Sequence, residues 1–184
     1  MCQDYQGSFT PFIKIGKQLI ETILTHKQVS RKEAKEIALA WLRRVALPAE
    51  RVFTSYPFQL SGGQRQRISL AAALMLGPSL LIADEPTTAL DVLTGEKILD
   101  LMAELQSQTG CAILLISHDL RQVLKRADRI AVMQEGRIVE MGETMQIRDQ
   151  PVHPYTRQLL DACPRLTGQM QQDKKEELLT NKSH

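Results

Sequence analysis

Apolar positions change their spacing along this chain, and each change marks an element. Ser30-Arg31-Lys32-Glu33 has capping-box spacing, with Ser30 at the N-cap and Glu33 three residues on. It opens a helix with an apolar stripe of Ile37, Ala38, Trp41, Leu42 and Val45, and Pro48 is the expected stop. Ser61 and Gln64 repeat the box spacing and start a helix that runs to about Leu76, before Gly77-Pro78. Residues 80–83 and 112–117 are short apolar runs that read as buried strands. Between them a helix is expected from Asp91 to about Gln108, closed by Gly110 as a C-cap. Asp119 caps a short helix through Ala127, and residues 129–134 and 137–141 form a hairpin around Glu135-Gly136. Pro154 suits the first position of a last helix near 154–162. Residues 1–16 show no clear period, and the polar tail from about Gln169 reads as frayed.

Strands alternating with helices predict an α/β layer with a mostly parallel sheet, preceded by a nearly all-helical stretch. Composition agrees. The chain has 184 residues, of which 43% are hydrophobic and 24% charged, which suits one globular domain with a real core. A net charge of +2 is too small to argue for nucleic acid or an anionic membrane surface. No apolar run approaches the ~18–20 residues that span a bilayer, so a membrane link is expected to go through a partner. Cys2, Cys111 and Cys163 are scattered and odd in number, which fits a reducing cytoplasm, and no Cys/His spacing suggests zinc.

Three short strings carry candidate chemistry. Leu60-Ser61-Gly62-Gly63-Gln64 places two glycines at the start of a helix. Glycine lets backbone approach a ligand, and a helix N-terminus offers unpaired N–H groups and positive dipole to an anion. Average composition gives this string about once in a million positions, so a plain capped helix is a poor alternative. Next, Leu80–Ala83 delivers Asp84 and Glu85 to the carboxyl end of a strand, the ligand edge of an α/β sheet. Asp84 suits Mg²⁺, which takes one or two carboxylates plus substrate phosphates, and Glu85 suits a general base for an attacking water. Last, His118 follows the second strand, where a neutral imidazole reaches a γ-phosphate oxygen. Asp91 reads equally as a helix cap or as part of this set.

In this order and spacing the strings resemble the nucleotide-binding domain of ATP-binding cassette (ABC) proteins. The resemblance makes Leu60–Gln64 the signature motif, Asp84 and Glu85 the end of the Walker B strand with its catalytic Glu, Asp91 the D-loop aspartate and His118 the switch histidine. Gln3 falls where the family's metal-reading Q-loop glutamine lies. What the resemblance implies is a partial P-loop NTPase domain with a RecA-like core and helical subdomain. Residues 1–78 would hold the Q-loop and helical subdomain, 79–142 the Walker B to H-loop core, and 143–184 a C-terminal extension. ATP and Mg²⁺ are the implied cofactors. The implied partners are a second ATPase subunit, integral membrane permease subunits and, indirectly, an extracellular or periplasmic substrate-binding protein, but no nucleic acid. The expected location is peripheral, on the cytoplasmic face of the membrane.

Val152-His153-Pro154-Tyr155-Thr156 is similar to the C-terminal region of oligopeptide, dipeptide and nickel importer ATPases. The opening stretch looks most like the nickel or metallophore importers. No G-x-x-x-x-G-K-[ST] string occurs: at Gly16-Lys17 the next residue is Gln18, and Pro11 stands where the first glycine should be. The expectation is a chain that begins at the Q-loop, through a misplaced start, a truncated gene or a separately encoded first part. A non-hydrolysing cassette that contributes only its signature helix and a permease contact is the competing reading.

Overall fold

The computed structural model describes residues 9–163. Gln3 therefore lies outside the described residues. By packing, the chain divides into two compact units, with the boundary between Ile116 and Ser117.

The first unit opens with three helices, α1 (Ile15–His26), α2 (Arg31–Arg44) and α3 (Ala49–Thr54). The α2 box forms as its sequence predicts: Ser30 Oγ accepts the Glu33 amide and Glu33 accepts the Ser30 amide at 2.8 Å. Pro48 acts differently from the expectation. The chain leaves α2 at Val45, turns through Ala46 at φ 52°, and Pro48 becomes the N-cap of α3. Six-residue α3 escapes a periodicity search because it has barely one stripe of contacts, Ala49 and Val52. A 3₁₀ turn, Pro57–Gln59, leads into α4 (Gly62–Leu74).

Then follows a βαβ unit, β1 (Leu80–Asp84), α5 (Val92–Thr109) and β2 (Ala112–Ile116). β1 and β2 pair in parallel from Leu80 opposite Ala112 to Asp84 opposite Ile116. Gly110 is the α5 C-cap at φ 68°, in the left-handed region. Leu81 and Ala83 turn inward and join one core with Ile98, Leu99 and Met102 of α5, Leu70 and Leu74 of α4 and Leu19, Ile23 and Leu42 of the helical stretch. The strands are not buried on both faces, as their unbroken apolar runs predict. Leu80, Ile82, Leu114 and Ile116 are 45–51% exposed. Helices cover only one side of this two-stranded sheet among the described residues, and an apolar run alone does not say how many layers enclose it.

The second unit contains α6 (Leu120–Arg126), the antiparallel pair β3 (Arg129–Gln134) and β4 (Arg137–Glu143), α7 (Thr144–Asp149) and α8 (Pro154–Asp161). Glu135 and Gly136 both take positive φ, 50° and 75°, as a two-residue hairpin turn requires. Ile130, Val132 and Ile147 form a small core with Tyr155 and Leu159 packed on it. Glu140 ties the C-terminal helix to the hairpin by accepting the amides of Val152 at 2.7 Å and His153 at 3.0 Å. Partial burial pushes the Glu140 carboxyl up, but the hydrogen bonds it accepts outweigh this and hold it below the usual range.

Two expectations follow. Gly16 is an α1 residue packed on Phe53, not part of a phosphate loop: a Cβ there would lie 2.5 Å from the ring. Gly16→Ala should lower stability in urea unfolding by about 1–2 kcal/mol, overpacking outweighing the gain in helix propensity. For Glu140, a lowered folded pKa means a stabilisation present above the ordinary Glu value of about 4.3 and lost as pH falls through the folded value. Amide exchange at Val152 and His153, corrected for intrinsic rate, should therefore lose protection on acidification, and Glu140→Gln should remove that pH dependence.

Candidate functional site

Ser61 is the N-cap of α4 and builds a complete capping box. Its hydroxyl accepts the Gln64 amide at 3.2 Å, and Gln64 Oε1 accepts the Ser61 amide at 2.9 Å. Both side chains are thus engaged with their own backbone, and the Arg65 guanidinium donates to the Leu60 carbonyl. This fixes the first turn of α4. The helix then presents its positive dipole end without need of a ligand to order it. Gly63 has a reason beyond ligand approach: a Cβ there would lie 2.8 Å from Thr94 Cγ2 at the start of α5.

Glu85 follows β1 directly, and it leaves the strand in the left-handed region at φ 47°. For a residue with a side chain this is a strained conformation, of order 1–3 kcal/mol, and such strain concentrates at functional sites. Several bonds hold it. Its amide donates to the Ile116 carbonyl at 2.9 Å, its carbonyl accepts from the Thr88 amide at 3.3 Å, and Thr88 Oγ1 donates to Glu85 Oε2 at 2.9 Å. The next carbonyl, Pro86 O, accepts from Gln66 Nε2 of α4 at 2.7 Å. Asp84 ends β1 half-buried, in register with Ile116.

Asp91 caps α5 by accepting the Thr94 amide at 2.9 Å. Hydrogen bonds from Thr94, side chain first, hold its carboxyl below the usual carboxylate range. The 84–91 segment is pinned from both sides, since a Cβ on Gly95 would meet Thr87 at 3.2 Å. Leu60–Gln64, Asp84, Glu85 and Asp91 consequently share one packed neighbourhood in the first unit. His118 belongs to the second unit. It is exposed, two residues past β2, on a segment shaped by Ser117 Oγ accepting the Asp119 amide at 3.1 Å. Gln66 and Pro86 lie outside the motif strings. A signal existed: Gln66 lies on the buried stripe of α4 with Leu70 and Leu74, four and eight residues on.

Among the described residues no three His, Cys, Asp or Glu side chains converge as an all-protein metal cage. That donor set still suits Mg²⁺, which keeps its waters and takes one or two carboxylates with substrate phosphates. Asp84 at the strand end is the carboxylate that would be offered to such an ion.

The order of these parts has relatives. A family described as "ABC transporter" matches residues 8–88, and one described as "Oligopeptide/dipeptide transporter, C-terminal region" matches 139–183. The dipeptide transport ATP-binding protein DppD of Bacillus subtilis (strain 168) is 47% identical over 166 residues, covering 89% of this chain. Residues 8–88 belong to the ABC transporter family. The oligopeptide transport ATP-binding protein OppD of Salmonella typhimurium is 44% identical over 168 residues, covering 91% of the chain and 50% of that protein. The chain spans about half the length of the curated relatives it matches, 49% of DppD. Among solved structures, the dimeric post-hydrolysis state of the ATP-binding cassette MJ0796, bound to ADP and Pi, superposes with TM-score 0.66 and 30% identity, covering 78% of this chain and 61% of that one. The structure of cbiO1 from Clostridium perfringens has TM-score 0.72 at 25% identity, over 92% and 65%. The α/β fold is accordingly that of a partial P-loop NTPase domain of the ABC type.

The capping box gives a testable energy. Ser61→Ala strips the Gln64 amide of its acceptor, and urea unfolding should show a loss of about 1 kcal/mol.

Proposed function

We propose that this chain is part of an ATPase subunit that energises an ABC importer of short peptides. The observation that carries the reading is Glu85. It is a carboxylate at the end of a parallel strand, held in a strained backbone conformation and bonded to Thr88. A general base must be positioned before it is tuned, and phosphoryl transfer to water depends mostly on positioning and electrostatics.

In this reading Glu85 orients and deprotonates the attacking water, and Asp84 and Gln3 would be the residues that hold Mg²⁺. Bound Mg²⁺ neutralises charge on the phosphate oxygens. His118 bonds the γ-phosphate. The first turn of α4, Leu60–Gln64, faces a nucleotide held by a second cassette, so two subunits complete each other's sites. Asp91 is the D-loop aspartate in this reading. Closure of the pair excludes water and assembles the site, which is induced-fit logic.

The partners in this reading are a second ATPase subunit, permease subunits in the membrane and, through them, a substrate-binding protein. Among the described residues no helix is long and apolar enough to cross a membrane. In this reading the chain attaches peripherally, through the permease, at the cytoplasmic face. The relatives reported above are named for dipeptide and oligopeptide transport, and the C-terminal match carries the same description. Both favour peptide cargo over nickel or a metallophore.

The deciding experiment joins this chain to a P-loop-bearing first part of the family's cassette and measures ATP turnover. Turnover should appear, and Glu85→Gln should lower kcat at least about 100-fold with nucleotide binding retained. Turnover that survives the substitution would remove Glu85 from the role of base. An assembly with no turnover would favour the non-hydrolysing reading.

A further inference from the structure

Gln66 is the least expected residue in the first unit. It is 1% exposed, and it occupies a stripe position of α4 that an apolar side chain would fill. Its Nε2 donates to Pro86 O across 20 residues of sequence. A carbonyl can only accept, so the amide orientation is fixed by its partner. Its Oε1, buried as well, has no donor among the described residues. A half-satisfied buried amide destabilises relative to an apolar side chain of the same length. Packing alone therefore does not call for glutamine here, whereas the bond to Pro86 does.

We propose that Gln66 is a positioning residue that couples the first turn of α4 to the backbone conformation of Glu85. Pro86 is buried, has a fixed φ and lacks an N–H, so its carbonyl is the one backbone hydrogen-bonding group by which the residue after Glu85 can be gripped. β2 holds the near side of that turn through Glu85 N–H to Ile116 O, and the turn closes on itself through Thr88 and Leu90. Gln66 adds the grip from α4. It sits five residues beyond Ser61 on the same rigid helix, so displacement of the capped end carries to Pro86. The functional meaning rests on the proposed roles of the signature helix and Glu85: one subunit's helix, facing its partner's nucleotide, would set the base facing its own. The physical coupling needs no nucleotide, and its test uses none.

The experiment is amide hydrogen exchange by NMR on the 184-residue chain. Gln66→Met keeps length and burial but removes the donor. Exchange at Glu85, Thr88 and Leu90 should rise at least about tenfold, as expected for loss of a local hold. Leu70–Leu74 should keep their protection and the melting temperature should not fall. Ser61→Ala should raise exchange at the same three amides in the native chain and add nothing in the Gln66→Met background. Unchanged exchange at the three amides, loss of protection spread evenly over α4 and α5, or an Ser61→Ala effect that persists without Gln66 would each overturn the coupling. If Gln66→Met does not fold, Gln66→Glu decides: a protonated carboxyl can donate to Pro86 O and an ionised one cannot. Protection of the turn, corrected for intrinsic rate, should then be present at low pH and lost as pH rises, and pH-independent protection overturns the proposal. Because no ATP is present, failure here leaves the Glu85 turnover test untouched, and failure there leaves this coupling standing.

Discussion

The first turns of α4 and α5 approach so closely that position 63 has no room for a side chain: a Cβ would lie 2.8 Å from Thr94 Cγ2. Much of the first unit follows from that approach. It brings the capped end of α4 beside the capped end of α5, with residues 84–91 running between. Gly95 against Thr87 and Gln66 against Pro86 are then consequences of the same close packing. A chain segment pinned on two sides can hold a residue in a strained conformation, which is how Glu85 keeps φ 47°. Strain of that kind persists only where the surroundings over-determine it.

Helix ends supply the electrostatics. α4 and α5 each begin with a side chain that satisfies an otherwise orphaned amide, Ser61 for Gln64 and Asp91 for Thr94. The two helix starts thus place positive dipole ends in the neighbourhood that also holds Asp84 and Glu85. Such a setting suits a polyanion with its cation, since each helix start favours negative charge and the carboxylates favour the metal. Ser61 and Gln64 spend their polar atoms on the cap, so the α4 end is ordered before any ligand arrives, and preorganised donors are worth more than donors that must be arranged at binding.

Each sheet keeps one apolar face in the open. Leu80, Ile82, Leu114 and Ile116 line one, and Met133, Ile138 and Met141 lie exposed on the hairpin. Parallel sheets are ordinarily covered on both faces, and exposed apolar sheet surface with free edges favours association. The first unit is held by the helices on the inner side, through a core that runs from α1 to α5 without a break, and the hairpin has a separate small core of its own.

The local elements were legible in the sequence because their signals lie within four residues of each other. The α2 and α4 capping boxes, the Asp91 cap, the Gly110 stop and the Glu135-Gly136 turn each depend only on neighbours along the chain. The strings that carry the chemistry were legible for the same reason, being contiguous. Short α3 and α7, the use of Pro48 as a cap and the open faces of the sheets were not, because periodicity describes a stripe and not what lies against it. By itself the sequence determined the family, the order of the elements and the identity of the acids, since local hydrogen bonding and contiguous motifs encode these directly. Only the tertiary structure decided that Gly63 is there for Thr94, that Glu85 is strained and that Gln66 reaches Pro86. These are contacts between residues far apart in the chain, and their geometry exists only once the helices have packed.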